Sequence, residues 1–275
     1  MQRVTKDNPC PICEKPDWCL VSEDGSVAIC QRVSEGGKKV GDAGWLHRLT
    51  GNPVQARKYR PRPKEQQQPA PDFFKLVEKY RQSETGLAWL SKDLGVSVAS
   101  LVQLQVGFDG KGWLFPMRDG YNKIVGIRVR MKNKKFAVKG SKNALFRPVR
   151  VKAESDNMLF ICEGPTDTAA LLDLGFDAIG RASCNTGAEH IKTMTGQFNR
   201  TIVIMADTDA PTTLPGGRVC YPGIEGGLRL AKELKGCTQS IRVIKPPNYK
   251  DIRLWYRNGA TKAMVLALVE NSRFA

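Results

Sequence analysis

Two acidic clusters carry the residue types best able to do chemistry. Glu163-Gly164-Pro165-Thr166-Asp167 follows the apolar run Met158-Leu159-Phe160-Ile161-Cys162, and Asp207-Thr208-Asp209 follows Ile202-Val203-Ile204-Met205-Ala206. Short apolar runs bounded in this way read as buried strands, and the sequence between them has room for a helix, a strand and a helix. In an open α/β sheet, ligands bind at the carboxyl ends of parallel strands. Carboxylates crowded there repel one another unless a hard divalent cation sits among them. Mg²⁺ takes one or two carboxylates together with waters and substrate phosphates. The chemistry is that of metal-dependent phosphoryl transfer, with Glu163, Asp207 and Asp209 as ligands of Mg²⁺ or Mn²⁺. Asp167 either joins them or is a first-turn helix acid favoured by the dipole.

A second constellation lies at the N-terminus, where Cys10, Cys13, Cys19 and Cys30 gather half of the eight cysteines. Cys10-Pro11-Ile12-Cys13 is a CxxC knuckle. Asp24-Gly25 between the β-rich runs Trp18–Ser22 and Ser26–Cys30 is a hairpin signal. Knuckle, hairpin and returning cysteine make a zinc ribbon, in which Zn²⁺ replaces the core that so short a segment cannot build. Cys10, Cys13 and Cys30 are three ligands. Val33 stands where a second CxxC would close, so the fourth is Cys19, with His47 as the alternative. Cys162, Cys184, Cys220 and Cys237 are scattered singly and read as small packing residues.

Composition names the class of partner. Lys and Arg number 43 against 27 acids, a net charge of +16 over 275 residues. Such an excess suggests a polyanion. No apolar run is long enough for a membrane span, and Met1–Asp7 lacks the apolar region of a signal peptide. A cytoplasmic location follows, where cysteines are ligands or buried thiols rather than disulfides.

The elements that would position these residues fall into five segments: 1–50, 51–72, 73–150, 151–248 and 249–275. The first is the ribbon, a DNA-binding module. The second is basic and rich in Pro and Gln, a flexible linker. The third opens with helices at Phe73–Arg81, Thr85–Asp93 and Ser97–Gln105, then shifts to strand periodicity. Gly112–Asp119, Ile124–Arg130 and Lys135–Val138 form a basic hairpin and a third strand. Arg128 and Arg130 share one face, because side chains alternate along a strand. With Lys135, Lys139 and Lys142 they could hold a triphosphate or track a phosphate backbone, or be a solvated face. The fourth segment alternates strands (Met158–Cys162, Ala178–Gly180, Thr201–Ala206, Ser240–Ile244) with helices (Thr166–Leu174, Ala188–Gln197, Glu225–Leu234). That pattern is an α/β parallel sheet with helices on both faces, and the whole chain is α+β. Ala210–Gly223 is a long loop within it. Asn185, in a turn before a helix, offers amides to a phosphate or merely caps the helix. Two helices, Asp251–Arg257 and Ala260–Asn271, end the chain.

These residues resemble a DnaG-type bacterial primase, or the primase half of a phage primase-helicase without its helicase. Glu163–Asp167 succeeded by Asp207–Asp209 is similar to the Toprim signature. Trp89–Ser97 ending in Val106-Gly107-Phe108 resembles the entry to the primase core. Leu114–Asp119 with Ile124–Arg130 is similar to that core's basic hairpin, and Lys135-Phe136 with Ala144-Leu145-Phe146 resembles the lysine-aromatic pair and Leu-Phe next along the family's chain. The sequence departs from the family where Ala210–Gly223 separates Asp209 from Gly226-Gly227, and in the incomplete second zinc knuckle. No GxxxxGK[ST] occurs, so no ATP-driven helicase motif is present. The resemblance implies a DNA primase, a nucleotidyltransferase making short RNA primers on single-stranded DNA from nucleoside triphosphates. Glu163, Asp167, Asp207 and Asp209 would be catalytic, structural Zn²⁺ and catalytic Mg²⁺ or Mn²⁺ the metals, and a separate helicase the partner. The alternatives are a Toprim metal-dependent nuclease and a catalytically inactive zinc/Toprim DNA-binding accessory.

Overall fold

The computed structural model describes residues 1–49, 71–149, 158–195, 200–214, 217–238 and 240–272. The linker expected at 51–72 therefore lies, but for its last two residues, outside the described residues. The chain divides into two compact units, Met1–Gln68 and Pro69–Ala275. No helix among the described residues is long and apolar enough to cross a membrane.

The smaller unit is an antiparallel sheet of β1 (Gln2–Arg3), β2 (Leu20–Val21), β3 (Val27–Cys30), β4 (Lys38–Lys39) and β5 (Trp45–Arg48), in the order β1-β2-β3-β5-β4. Its hairpin turns where the sequence signals it. Gly25 takes φ +71°, and the Asp24 carboxylate accepts from the Ser26 amide at 3.1 Å. The buried apolar cluster here is Val4 with Cys10, Cys19 and Cys30. A core made mainly of thiols needs a metal to hold it.

The larger unit begins with α1 (Phe73–Tyr80), α2 (Glu84–Leu94) and α3 (Val98–Gln103). The strands β6 (Gly107–Phe108), β7 (Trp113–Arg118), β8 (Ile124–Arg130), β9 (Lys135–Ala137) and β10 (Leu145–Phe146) come next. After residue 158 come β11 (Leu159–Glu163), α4 (Pro165–Asp173), β12 (Asp177–Arg181), α5 (Ala188–Thr195) and β13 (Thr201–Met205). A hairpin of β14 (Thr212–Thr213) and β15 (Val219–Cys220), then α6 (Pro222–Leu234), β16 (Ser240–Ile244), α7 (Ile252–Arg257) and α8 (Lys262–Glu270) complete it. The structure departs from the expected loop at Ala210–Gly223 in holding that hairpin, and α6 starts at Pro222 rather than Glu225. The missed signal is Pro222, preorganised for the first helical position, where its absent N–H costs nothing.

One mixed sheet, ordered β16-β13-β11-β12-β10-β7-β8-β9 with β6 paired to β7, runs through the unit. β16, β13, β11 and β12 are parallel; the rest pair antiparallel. Helices cover both faces of the parallel strands, so their inner residues are apolar on either side. Leu159, Ile161, Ile179, Ile202, Ile204 and Ile241 pack beneath α5 and α6 with Ile191, Met194, Leu230 and Leu234. Phe160, Cys162, Ala178, Val203, Met205 and Ile244 face the other way, onto Leu171 of α4, Trp255 of α7 and Val265 of α8. Each such aliphatic side chain contributes about 1.5–3 kcal/mol on burial, so a one-residue slip would exchange the two faces and is strongly disfavoured. Helix ends are fixed by short polar side chains. Ser97 Oγ accepts from the Ser100 amide at 3.1 Å, as its cap position predicts. The Ser97 amide and hydroxyl also donate to Asp173 at 2.6 and 2.5 Å, pinning α3 to α4.

Sheet order places the crevice. From β11 the chain crosses to β12 on one side, then returns through α5 to β13 on the other. The carboxyl ends of β11 and β13 therefore flank the switch point where such sheets bind ligands.

Candidate functional site

In the smaller unit, one sulfur from each of Cys10, Cys13, Cys19 and Cys30 lies within 4.8 Å of the others. Cys13–Cys19 and Cys19–Cys30 sulfurs stand 3.8 and 3.9 Å apart. Four thiolates at about 2.3 Å from a tetrahedral Zn²⁺ are about 3.8 Å from each other, so the set fits structural zinc. Backbone amides of Arg32 and Val33 point at Cys30 Sγ from 3.4 and 3.3 Å, the kind of outer-shell donor that orients a ligand. His47 is elsewhere occupied, its Nε2 lying 3.0 Å from the Val33 carbonyl oxygen. Of the two candidates for fourth ligand, Cys19 is the one in the cluster.

In the larger unit, the two acidic clusters meet at the switch point. Glu163 is the last residue of β11, and Asp207 and Asp209 lie two and four positions beyond β13. Gly164, at φ +86°, makes the turn from β11 into α4 in a region a side chain would strain. Asp167 thereby falls in the first turn of α4. Gly223 lets α6 press against the Asp207 backbone, since a Cβ there would stand 2.3 Å from the Asp207 carbonyl oxygen.

A cleft of about 270 Å³ joins Glu163, Asp167, Asp207 and Asp209 to Arg128, Arg130 and Lys135. Phe115 lies across from Arg128 in the β7/β8 register, and Lys135 across from Arg130 between β8 and β9. One sheet thus carries cations on its antiparallel part and carboxylates at the ends of its parallel part. Lys139, Lys142 and Asn185 are exposed and do not line the cleft. The side-chain amide oxygen of Asn185 accepts from Arg229 of α6.

The acids are electrostatically strained. Burial, then the neighbouring carboxylates of Asp167, Glu163, Asp251 and Asp209, push the Asp207 carboxyl up to about 9. Its Oδ1 is buried without a hydrogen-bond partner. Burial and Asp251 push Asp167 up to about 7, although its Oδ1 accepts from the Arg253 amide at 3.3 Å. Glu163 is raised by burial, against the pull of Arg181, its register partner on β12. Asp209 pairs with Lys250, whose Nζ stands 3.3 Å from Oδ1. On the opposite wall, burial and the nearby Arg130 push Lys135 down.

This donor set suits a divalent cation. An orphaned carboxylate oxygen ringed by acids is a site built for a positive charge it does not itself supply. Among the described residues these carboxylates do not bring three oxygens within the 4.8 Å span that the cysteines meet. As placed, therefore, at most two of them could touch one cation directly, the number of carboxylates that Mg²⁺ commonly takes beside its waters.

Lys250, Asp251 and Arg253 complete the lining, and sequence reasoning missed all three. Asp251, expected as the first residue of a helix, is instead the cap before it, its Oδ1 accepting from the Leu254 amide at 2.7 Å. The available signal was its place just beyond β16, the neighbour of β13.

No protein-family model matches the sequence, and no curated protein matches it. Solved structures do. The DnaG primase catalytic domain bound to single-stranded DNA superposes with a TM-score of 0.55 at 16% identity, over 73% of this chain and 77% of that one. The larger unit has the DnaG primase core fold. The E. coli primase catalytic core gives 0.53 at 16% identity, over 73% and 79% of the two chains. A DNA primase domain from Pseudomonas aeruginosa gives 0.52 at 16% identity, over 73% and 78%. Within this primase core fold, the acids occupy the switch point of the parallel strands and the cations the antiparallel strands beside it.

Proposed function

We propose that the chain is a DNA primase, a nucleotidyltransferase that makes short RNA primers on single-stranded DNA. The observation that carries this is Asp207. Its unpartnered oxygen lies amid Glu163, Asp167, Asp209 and Asp251, and the same cleft holds Arg128, Arg130 and Lys135. One wall suits a divalent metal and the other a polyphosphate, in a core whose fold is that of DnaG.

Glu163, Asp207 and Asp209 would hold Mg²⁺ or Mn²⁺, with Asp167 and Asp251 behind them. Bound there, the ion supplies Lewis-acid charge that lowers the pKa of the primer 3′-hydroxyl and offsets charge on the transferring phosphoryl group. Asp207 would hold the ion through its ionised carboxylate, Oδ1 being the oxygen that no protein group satisfies. Arg128, Arg130 and Lys135 bind the triphosphate of the incoming nucleotide and keep its phosphates turned towards the acids. Lys250 holds Asp209 in place by its ion pair. Phe115 and Phe146 close the cleft with apolar surface, which strengthens each charge interaction there.

The remaining assignments derive from this reading. Residues 1–50 form a zinc module that reads template, and 51–72 a linker. Residues 73–150 and 151–248 are the two halves of the core, with C-terminal helices at 249–275. The substrates are nucleoside triphosphates and single-stranded DNA, the setting is the cytoplasm, and a separate helicase supplies strand opening.

The test is primer synthesis on single-stranded DNA of mixed sequence with labelled ribonucleoside triphosphates and Mg²⁺ or Mn²⁺. Short products that vanish in Asp207→Ala are expected, with fewer initiations in Cys10→Ser. Degraded template without products would replace the reading with a nuclease. Intact, bound template without products would replace it with a binding accessory.

A further inference from the structure

The cysteine cluster has one CxxC knuckle where a ribbon closed at both ends would have two. Thiolate ligands are oriented and tuned by the N–H groups that donate to them. Cys30 receives its donors from the turn that follows it, the Arg32 and Val33 amides lying 3.4 and 3.3 Å from Sγ. Val33 stands where a second knuckle would place a cysteine, so that turn serves one sulfur rather than two. Cys19, which completes the set instead, belongs to no CxxC.

The Arg32 side chain reaches back over this irregular half of the site. Its Nη1 lies 3.8 Å from Cys13 Sγ and 3.9 Å from Cys19 Sγ, close enough for N–H···S hydrogen bonds. Arg32 thus reaches three of the four sulfurs, one by its amide and two by its guanidinium. The guanidinium is itself held in place. Nη1 donates to the Asp17 carbonyl oxygen at 2.9 Å, and Nη2 pairs with Asp17 Oδ1 at 2.6 Å. Asp17 leads into Trp18, whose φ of +67° is a left-handed backbone that bulky residues rarely adopt. That strained turn delivers Cys19, and Arg32 ties it to the cluster.

A plain surface ion pair contributes little, and it would not spend one guanidinium nitrogen on a carbonyl and two sulfurs. Charge gives the contact a purpose. Four thiolates exceed the charge of Zn²⁺ by two, and a cation beside them offsets part of the excess. Cys10, Cys19 and Cys30 are buried while Cys13 is half-buried, so the cluster is open on the side where Arg32 stands.

We infer that Arg32 is a positioning residue of the zinc site. Its guanidinium offsets the thiolate charge, locks the Cys13–Cys19 edge and replaces the donors of the missing second knuckle. The inference rests on the zinc reading of the cluster and not on primer synthesis.

Zinc affinity of the full-length protein is measured by competition with a chromophoric chelator. The thiolate-to-metal charge-transfer band of the Co²⁺-substituted protein reads the sulfurs directly. Arg32→Gln should weaken zinc binding roughly 10- to 100-fold. It should also move the band to longer wavelength, because thiolates without a cationic donor release charge to the metal more easily. Arg32→Lys keeps the charge without the planar fork and should recover part of the affinity. Asp17→Asn should fall between the native protein and Arg32→Gln. Arg48→Gln, which removes an exposed cation of β5, should match the native protein in both readouts. Native affinity in Arg32→Gln overturns the inference, as does an equal loss in Arg48→Gln. Weakened binding with an unmoved band also overturns it, leaving Arg32 only to brace the turn. A native protein that binds no zinc would sink the zinc reading as well, whereas zinc held equally by native protein and Arg32→Gln sinks this inference alone.

Discussion

Replacing Asp207 with asparagine should stabilise the metal-free protein. The ordinary aspartate value is 3.8 and the folded carboxyl sits at about 9. At pH 7 the unfolded chain has released this proton and the folded site has kept it. At 1.36 kcal/mol per pH unit, the folded state forgoes about 4 kcal/mol of ionisation. The folded state binds more protons than the unfolded one, so stability is greatest below about pH 4 and falls as pH rises towards about 9. Asparagine removes the ionisation, but its own desolvation returns about 1–3 kcal/mol of cost, leaving a net gain of about 2 kcal/mol. For a unit of this size, each kcal/mol moves the melting temperature by about 2–4 °C, so Asp207→Asn should melt roughly 4–8 °C above the native protein in EDTA at pH 7. Mg²⁺ should erase the difference, since a ligand at a hundred times its Kd stabilises its site by about 2.7 kcal/mol. Differential scanning calorimetry in EDTA and in Mg²⁺ reads both effects. A variant melting at or below the native protein in EDTA would refute the claim that Asp207 is held in an uncompensated acidic site.

Zinc content should track the cysteine cluster: Cys19→Ser should lose bound zinc by elemental analysis and His47→Ala should retain it. Gly180→Ala should destabilise the larger unit by about 1–3 kcal/mol in denaturant melts, because a Cβ there would stand 2.3 Å from Thr168 Oγ1 and 2.4 Å from the Gly164 carbonyl oxygen. Arg200, with a side chain 3% exposed and paired to Asp177 at 2.7 Å, should cost about 3–5 kcal/mol on truncation to alanine, seen as a lower urea midpoint. Affinity for single-stranded DNA should fall steeply between low and physiological salt, and Arg128→Ala should flatten that slope by about 0.7 for each phosphate left without its cation.

The two central parallel strands, β11 and β13, were legible because burial on both faces makes their sequences almost continuously apolar, and each of these two runs leads into its carboxylates. Glu163, Asp207 and Asp209 could therefore be located from the chain's pattern alone. Arg128 and Arg130 were legible by alternation, which holds only inside a strand. Lys139 and Lys142 lie beyond β9, where the regular strand alternation has ended, so the same count of charges could not say which way they face. Asp251 was hidden by its second role as the cap of α7. Trp89 was legible as part of a helical segment, but its stacking on Trp113 depends on how α2 lies over β7, which no local pattern encodes.

The union of cations and acids depends on a narrow seam. β10 meets β12 through two register pairs, Leu145↔Arg181 and Phe146↔Gly180, and meets β7 through one, Leu145↔Arg118. Across that seam the basic hairpin is ladder-bonded to the acidic strands. The gap between the cations and the acids is therefore a length gauged by two residues. Leu145 and Phe146 thus set the width of a jaw neither forms alone, and a volume change there would alter that width without removing a single charged group.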